Sequence, residues 1–364
     1  MLARRGFMAA TATLPLIVPS RFEAPSLRDL AASRNIAFGT EVTLTDIAAD
    51  PQYASLVARE CAIITPGIEA KWGYIEPAEG AFCFGPMDAL AGFARGAGLR
   101  LHMHNLIWAV GMPGWTLQAL QQGRGASVMA RHAGRVAERY KDLTDSWDVV
   151  NEPVDPRWPS DEDGICLTPW WNGLGRQFVP LALSAVHAAA PAARLLINDD
   201  DLEYDAPDRE HKRATYLRLI ESWLKSGAEL HGFGLEAHLK PWLPMADKAY
   251  RRFLHELAGF GLKLDVTELD VCDRTLAAEV GARDKAVADL TRRYLDLVLD
   301  EQAVCTVMTW GLSDRGSWML RDPAGFRPDG LKPRPLPYDA HLTAKPMREA
   351  IAAAFRGARF RPPA

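Results

Sequence analysis

The chain has 364 residues and a mass of 40.1 kDa, and 48% of its residues are hydrophobic and 24% are charged. These proportions are ordinary for a globular protein with a sizeable core, and they argue against an intrinsically disordered chain. The net charge of −4 and the pI of about 6.2 provide no positive field for phosphate backbones or anionic lipids, so nucleic acid is not an expected partner.

Residues 1–25 resemble an export signal. Arg4 and Arg5 precede an aromatic residue and a short apolar stretch that ends at Ser20, which is similar to a twin-arginine signal. The alternative is a basic tail without a targeting role. The apolar stretch is too short to span a bilayer, which argues against a membrane anchor. The sequence therefore predicts a periplasmic or secreted protein whose single catalytic domain spans 26–364.

Strand-like and helix-like patterns alternate through this domain. Eight apolar, β-rich runs lie at 36–42, 61–65, 99–108, 147–151, 195–198, 233–238, 262–267 and 305–310. Amphipathic stretches with helical spacing lie at 86–97, 128–141, 179–190, 209–226, 246–259 and 284–299. Strand followed by helix, repeated in this way, predicts an α/β fold of the (β/α)8 TIM-barrel type. A doubly wound sheet is the competing architecture, but the Gly-rich turn after its first strand is missing.

The cysteines show no regular metal-ligand spacing and are odd in number: Cys61, Cys83, Cys166, Cys272 and Cys305. The sequence therefore predicts no metal site and no cofactor. An oxidising compartment would permit at most two disulfides, whose pairing stays open. The Pro-rich segment 323–337 is predicted to be a long loop near the barrel mouth.

Polar and aromatic side chains recur at the carboxyl ends of the predicted strands. They are His104 and Trp108 after the third strand, Asn151 and Glu152 after the fourth, His238 after the sixth, Glu268 after the seventh and Trp310 after the eighth. Because the carboxyl ends of barrel strands converge at one mouth, residues distant in sequence are expected to meet there.

Two of these residues form a candidate catalytic pair. Hydrolysis of a glycosidic bond needs one group to protonate the departing oxygen and another to stabilise or attack the anomeric carbon. Glu152 and Glu268 can divide these tasks. A single glutamate at a strand end could equally be a solvated loop residue or the partner of an arginine. Two of them, on the fourth and seventh strands, favour catalysis.

The contexts of both glutamates make the hypothesis more specific. The Asp-Val-Val-Asn-Glu motif that ends at Glu152 and the Val-Thr-Glu-Leu-Asp motif around Glu268 resemble the acid/base and nucleophile motifs of glycoside hydrolase family 10, the retaining β-1,4-xylanases. Further similar segments follow in the family's order, at 71–72, 76–84, 104–108, 113–115, 234–239, 310–314 and 317–318.

This resemblance implies a role for each site residue. Glu152 would be the general acid and later the base, and Glu268 the nucleophile that forms a covalent glycosyl-enzyme. Asn151 would hydrogen-bond a sugar hydroxyl beside the reacting carbon, and His238 would orient Glu268. The residues expected to contact substrate are Lys71, His104, Trp108, Trp310 and Trp318.

The sequence departs from the family pattern on the glycon side of the site. The family usually carries Glu-Asn at the positions of Gly67 and Ile68, and His and Gln at the positions of Ala109 and Gly111. Sites built to hydrogen-bond a hydroxyl discriminate strongly, and apolar replacements lose that discrimination. These changes predict a different substrate or weaker recognition of plain xylan.

Glu236 is a further departure, because the family usually has glutamine there. Residues i and i+2 share a strand face, so Glu236 is expected to enter the same pocket as His238. A third carboxylate would raise the proton affinity of its neighbours or bind a cation such as Lys71.

The leading hypothesis is a monomeric endo-β-1,4-xylanase that acts on a polysaccharide or oligosaccharide. The alternative within the same chemistry is hydrolysis of another β-linked glycan, such as a bacterial exopolysaccharide. From other classes come a non-catalytic carbohydrate-binding barrel and a metal-dependent hydrolase. Retention of Glu152, Glu268, Asn151 and His238 argues against the first of these, since binding alone would not require all four.

Overall fold

The structure is a computed structural model that describes residues 24–155, 158–162 and 164–362. All but the last two residues of the predicted export signal lie outside the described part of the chain. Among the described residues, no helix is both long enough and apolar enough to cross a membrane.

Eight parallel strands close into a barrel. They are β1 (Ala37–Val42), β2 (Ile63–Pro66), β3 (Arg100–Ile107), β4 (Thr144–Asn151), β5 (Arg194–Asp199), β6 (Gly232–Leu235), β7 (Lys263–Val271) and β8 (Val304–Thr309). Each strand pairs with the next, and β8 pairs back onto β1 with Ala37 opposite Thr306. The predicted (β/α)8 barrel is confirmed, and each predicted strand overlaps one of the eight.

Helices surround this barrel. They are α1 (Leu27–Ala32), α2 (Leu44–Ala49), α3 (Pro51–Glu60), α4 (Trp72–Ile75), α5 (Gly85–Gly96), α6 (Trp115–Gln121), α7 (Gly125–Tyr140), α8 (Pro169–Leu174), α9 (Phe178–Ala189), α10 (Pro207–Lys225), α11 (Asp247–Gly259), α12 (Val280–Val298) and α13 (Pro346–Gly357). Short 3₁₀ helices lie at Gly175–Gln177, Asp273–Thr275, Asp314–Gly316, Trp318–Leu320 and Pro323–Gly325. The six predicted helices are α5, α7, α9, α10, α11 and α12. Helices such as α2 and α4 are too short to give a readable hydrophobic period.

A polar cluster lies among the apolar side chains of the strands. The ring of His102 on β3 bridges two β4 side chains, with Nδ1 2.7 Å from Oγ of Ser146 and Nε2 2.7 Å from Oδ2 of Asp148. All three residues are fully buried. Burial would raise the pKa of Asp148, but the charge and hydrogen bond of His102 outweigh it and lower the pKa to about 2. The cluster therefore holds an ionised carboxylate beneath the barrel mouth.

The sixth strand differs from its prediction as a continuous run over 233–238. It ends at Leu235, because Ala237 has a φ of +62°, outside the extended region. The chain then forms a two-residue strand, His238–Leu239, against the end of β7. The sequence predicted that Glu236 and His238 share a pocket because they lie two residues apart on one strand. That reason is wrong, because the strand ends before Glu236.

All five cysteines carry free thiols. The disulfides that an oxidising compartment would permit are not formed in this structure. Burial raises the pKa of the Cys61 thiol, and it raises that of Cys305 to about 12, so both favour the neutral thiol form.

A buried ion pair links α3 to the first and last described helices, α1 and α13. Glu60 at the end of α3 is fully buried, and its Oε2 lies 3.2 Å from Nη2 of Arg348 on α13. The same oxygen accepts a hydrogen bond of 2.9 Å from the backbone N–H of Leu27, the first residue of α1. One carboxylate thus joins three helices that flank β1.

Replacement of Arg348 by methionine should destabilise the fold, since it removes the buried cation beside the Glu60 carboxylate and leaves only the more exposed Arg59, whose Nε lies 3.8 Å from Oε1. The expected loss is about 3 kcal/mol of unfolding free energy, seen as a lower urea midpoint. The matched control is Arg356→Met, which removes a partner of the exposed Glu349 and should cost less than about 1 kcal/mol. Equal urea midpoints for the two variants would contradict the stabilising role of the buried Arg348–Glu60 pair.

Candidate active site

The carboxyl ends of the strands surround a cavity of about 360 Å³. All ten residues selected from the sequence line it: Lys71, His104, Trp108, Asn151, Glu152, Glu236, His238, Glu268, Trp310 and Trp318. The structure therefore brings together every predicted site residue, although they are contributed by six different strand ends.

A larger cavity of about 890 Å³ opens at the opposite end of the barrel. The residues that begin the strands line it, among them Ala37, Ile63, Arg100, Thr144 and Arg194. None of the predicted site residues does. Since the chemistry of (β/α)8 barrels takes place at the carboxyl ends of the strands, the smaller cavity is the candidate active site.

Backbone geometry brings Glu152 to this cavity. Asn151 ends β4, and Glu152 then adopts a φ of +50°, in the left-handed region that costs a non-glycine residue about 1 kcal/mol or more. Its backbone N–H donates a 2.9 Å hydrogen bond to the carbonyl oxygen of Asn198 at the end of β5. The backbone therefore turns away from the strand at Glu152 but remains hydrogen-bonded to β5.

Asn198 links the polar groups of four strands. Its Nδ2 lies 2.8 Å from Oδ1 of Asn151, 3.1 Å from Oε1 of Glu236 and 2.9 Å from Oε1 of Glu268. Its Oδ1 accepts a 2.7 Å hydrogen bond from the hydroxyl of Thr267. Gly234 on β6 leaves room for this side chain, because a Cβ atom there would lie 2.9 Å from Cγ of Asn198. Sequence reasoning missed Asn198 as a site residue.

Glu268 on β7 lies between two histidines. Nδ1 of His104 is 3.5 Å from its Oε1, and Nε2 of His238 is 3.4 Å from its Oε2. Burial would raise the pKa of Glu268, but its interactions with His104, His238 and Lys71, which include a hydrogen bond from His238, outweigh burial and lower the pKa below its ordinary value. Glu268 is thus ionised at neutral pH, as a carboxylate nucleophile must be.

His238 is held from its other side. Its Nδ1 lies 2.9 Å from Oδ1 of Asp270, whose Oδ2 accepts a 2.7 Å hydrogen bond from Nε1 of Trp318. Burial would lower the pKa of His238, but Asp270 and Glu268 together raise it well above its ordinary value. The ring therefore carries both protons and directs Nε2–H towards Glu268.

Glu236 holds its proton at neutral pH. Burial, and then the negative charge of Glu268, raise its pKa well above the ordinary value. A neutral carboxyl group offers one donor and acceptor capacity, much as the amide of glutamine does. The sequence predicted a third carboxylate that would raise the proton affinity of its neighbours, and the structure instead assigns the extra proton to Glu236 itself.

The sequence offered a pairing of Glu236 with Lys71 as one alternative, but no ion pair within 4 Å joins these two described residues; Glu236 acts on Lys71 only as one of several more distant carboxyl groups. The ammonium nitrogen of Lys71 lies 4.8 Å from the centre of the Trp108 ring, in a cation–π contact. The ring has this position because Gly111 has no side chain, and a Cβ atom there would lie 2.9 Å from Cε3 of Trp108.

Two further tryptophans form apolar walls. The Trp310 ring meets His104 and His238 edge-to-face, with ring centres 5.0 and 6.3 Å apart. Trp318 packs similarly against His238 at 5.5 Å. Flat aromatic walls beside ionised and hydrogen-bonding groups suit a ring with apolar faces and polar edges.

Besides Gly67 and Ile68, five residues line the cavity that sequence reasoning did not select as site residues: Glu41, Thr43, Asp200, Gly316 and Arg321. Glu41 lies near the end of β1 and Asp200 follows β5, so the rule that found Glu152 and Glu268 could have found both. Arg321 belongs to a loop after β8 and carries no local signal of this kind.

The cavity contains one group of side chains with metal-ligand geometry. Potential ligand atoms of Glu236, His238 and Glu268 lie within 4.8 Å of one another. His238, however, is protonated by its contact with Asp270, and a protonated imidazole has no lone pair for a cation. The protonation states of the site therefore do not suit a metal ion.

A second such group, His187, Glu229 and His231, lies outside the cavity. Nδ1 of His231 accepts a hydrogen bond of 3.3 Å from the backbone N–H of Leu195. The neutral ring then carries its proton on Nε2, the atom that lies 3.6 Å from Glu229. The nitrogen nearest the carboxylate is thus occupied by a proton.

Comparison with known proteins gives a consistent result. A family model described as Glycosyl hydrolase family 10 matches residues 26–354. The chain is 28% identical over 328 residues to endo-1,4-beta-xylanase B of Thermotoga neapolitana, covering 89% of this chain and 90% of the relative. It is 31% identical over 323 residues to endo-1,4-beta-xylanase 1 of Gibberella zeae, covering 85% and 84%. The crystal structure of xylanase 10B from Thermotoga petrophila RKU-1 in complex with xylobiose matches with a TM-score of 0.79 and 26% identity, covering 92% of this chain and 98% of that chain.

Substitution of Glu236 by glutamine tests its protonation state. As pH rises through the raised pKa of Glu236, the wild type loses the hydrogen-bond donor that its neutral carboxyl group shares with the amide of glutamine, so it should lose activity that the variant keeps. The acid limbs of the two profiles of kcat/KM against pH should coincide. A difference confined to the acid limb, or no difference at any pH, would show that Glu236 does not titrate as described.

Metal removal tests the conclusion that Glu236, His238 and Glu268 do not bind a metal ion. Dialysis against EDTA should leave kcat and KM within experimental error, because a protonated His238 cannot ligate a cation. Loss of activity that added Zn²⁺ or Mn²⁺ restores would contradict this reading.

Proposed function

The chain belongs to glycosyl hydrolase family 10 and is a glycoside hydrolase, and from this premise we propose that it cleaves internal β-1,4 bonds of xylan with retention of anomeric configuration. The observation that carries the proposal is the ionised, histidine-flanked Glu268 in the same cavity as Glu152. Retaining glycosidases use such a pair as nucleophile and acid/base.

In the first step, Glu152 donates its proton to the glycosidic oxygen while Glu268 attacks the anomeric carbon. The bond to the leaving sugar breaks, and an ester forms between Glu268 and the retained sugar. In the second step, water attacks the same carbon, Glu152 takes a proton from the water, and the ester oxygen returns to Glu268 as a carboxylate. The enzyme ends in its initial protonation state.

The change in the role of Glu152 has an electrostatic cause. While Glu268 is ionised, its charge favours the protonated form of Glu152. Once Glu268 is esterified, that charge is gone, and Glu152 can give up its proton and then act as a base. The hydrogen bond from Asn198 and the contact with His238 hold Glu268 in place throughout.

Asn151 is suited to bind the sugar hydroxyl beside the reacting carbon. Its Oδ1 accepts a hydrogen bond from Asn198, so the orientation of its amide is fixed and the NH₂ group can donate to a ligand. A hydrogen bond to that hydroxyl strengthens as the oxocarbenium-like transition state forms. Lys71, His104 and the tryptophans would surround the same sugar.

The choice of xylan rests on the relatives, which are endo-1,4-beta-xylanases. One observation favours a second candidate, another β-linked glycan such as a bacterial exopolysaccharide. Gly67 and the apolar Ile68 line the cavity where the family usually presents polar side chains, and fewer donors and acceptors there would relax the requirement for one pattern of hydroxyls.

The other classes are less consistent with the site. A carbohydrate-binding barrel without catalysis would not need an ionised Glu268 supported by His238 and Asp270. A metal-dependent hydrolase would need an unprotonated His238.

The same proposal includes export by a twin-arginine signal and action as a monomer. Arg4 and Arg5 before an apolar stretch support export. All of the residues with proposed roles come from one chain, which supports a monomer because no second copy is needed to complete the site.

Incubation with a panel of β-1,4-glycans, including unbranched xylan, tests the proposed reaction. The wild type should release xylo-oligosaccharides that mass spectrometry identifies, and Glu268→Ala should lower kcat by at least about 10³-fold, because the covalent route is lost. Glu79→Ala, which removes an exposed glutamate paired with Arg124, is the control and should behave as the wild type.

Proton NMR during the first minutes of hydrolysis should show the β-anomer of the product, as retention requires. Activity confined to another glycan would replace the substrate in the proposal. Equal product release by wild type and Glu268→Ala would overturn the proposal itself.

A further inference from the structure

Glu41 is a carboxyl group in the active-site cavity without a role in the mechanism above. It is the penultimate residue of β1, it is partly buried, and it lines the same cavity as Glu152 and Glu268. No hydrogen bond of its side chain is found among the described residues. A carboxyl group that the barrel does not use is available to a ligand in that cavity.

Two glycines make the space that Glu41 occupies. A Cβ atom on Gly67, just after β2, would lie 2.7 Å from Cδ and 3.1 Å from Cγ of Glu41 and would overlap Oε1. A Cβ atom on Gly311, just after β8, would lie 3.9 Å from Oε2. The carboxyl group therefore lies between the ends of the two strands that flank β1. A side chain at position 67 and the present position of Glu41 exclude each other.

The protonation of Glu41 fits it to bind a neutral, polar ligand. Burial raises its pKa to about 8, and the charges of Asp46 and Glu69 add to the rise, while Arg321 and Lys71 oppose it. At pH 7 the group is mostly a neutral acid, which can donate one hydrogen bond and accept others. Sugar hydroxyl groups need both kinds of partner.

The position of Glu41 relative to the catalytic pair decides which sugar it can reach. Glu152 follows β4 and gives its proton to the leaving group, so the leaving sugar lies on that side of the cavity. β1 is three strands from β4 and neighbours β8. The chain on the non-reducing side of the cleaved bond must therefore run towards the wall that Glu41, Gly67 and Lys71 form.

We propose that Glu41 is a specificity-determining residue that hydrogen-bonds the sugar unit next to the cleaved one on its non-reducing side. This inference rests on the proposed function. Glu41 supplies from β1 a carboxyl group in the place where Gly67 supplies no side chain from β2. The polar changes at positions 67 and 68 then move the sugar contact to another strand rather than abolish it.

The test compares a substrate that reaches this sugar position with one that does not. 4-Nitrophenyl β-xylobioside carries two sugars before the cleaved bond, and 4-nitrophenyl β-xyloside carries one. The ratio of their kcat/KM values reports the contribution of the second sugar, and overall damage to the enzyme cancels. Glu41→Ala should lower this ratio about tenfold, the effect of about one lost hydrogen bond to a buried polar group.

Two further variants test the geometry. Gly67→Ala should lower the ratio as well, because the new methyl group displaces the Glu41 carboxyl without changing residue 41. The double variant E41A/G67E, which moves the carboxyl group from β1 to β2, should recover much of the ratio that Glu41→Ala loses. Glu79→Ala should leave the ratio unchanged. Thermal unfolding of each variant checks that the fold is intact.

Each outcome has one meaning. A lower ratio in Glu41→Ala and Gly67→Ala, with recovery in the double variant, supports the inference. An equal loss on both substrates assigns Glu41 a structural role, and an unchanged ratio assigns it none, so either result overturns the inference. If neither glycoside is hydrolysed in a manner that depends on Glu268, the proposed function is wrong, and the inference falls with it.

Discussion

The buried amide of Asn198 is the contact on which the arrangement of the site depends. Its two hydrogens are shared by three acceptors, on Asn151, Glu236 and Glu268, each within 3.1 Å. These residues lie on or just beyond β4, β6 and β7, so one side chain of β5 fixes the relative positions of polar groups from three other strands. An unsatisfied group at this depth would cost about 1–3 kcal/mol, which makes any other arrangement unfavourable. Gly234 makes the contact possible by leaving space for the side chain.

Within this arrangement, neighbouring ionisable groups have opposite protonation states. Glu268 is ionised because His104, His238 and Lys71 outweigh the effect of burial, whereas Glu236 is neutral because burial and the charge of Glu268 act in the same direction. His238 stays charged because Asp270 is behind it. The cavity thus holds a nucleophile with one negative charge rather than three mutually repelling carboxylates. The neutral Glu236 explains how a carboxylic acid can stand where the sequence resemblance implies an amide.

Much of the site could be predicted because strand ends in a closed barrel converge, so a sequence rule selects residues that meet in space. That rule found Glu152 and Glu268 and could have found Glu41, which lies near the end of an apolar run. Its assumption of a regular strand was wrong at Glu236 and His238, because the positive φ of Ala237 interrupts the strand between them. The two side chains still reach one cavity, because the chain resumes pairing with β7. Arg321 could not be found, since a long loop brings it to the cavity.

The sequence by itself determined the barrel, the order of its strands and ten of the residues at its mouth, because hydrophobic period and strand-end position are local properties. Only the tertiary structure decided the protonation states of those residues and the occupant of the space beside Gly67. Both depend on distances between groups far apart in the chain: the two histidines beside Glu268, Asp270 behind His238, and Glu41 between the ends of two other strands. Electrostatic interactions and excluded volume act through space, and no local pattern records them.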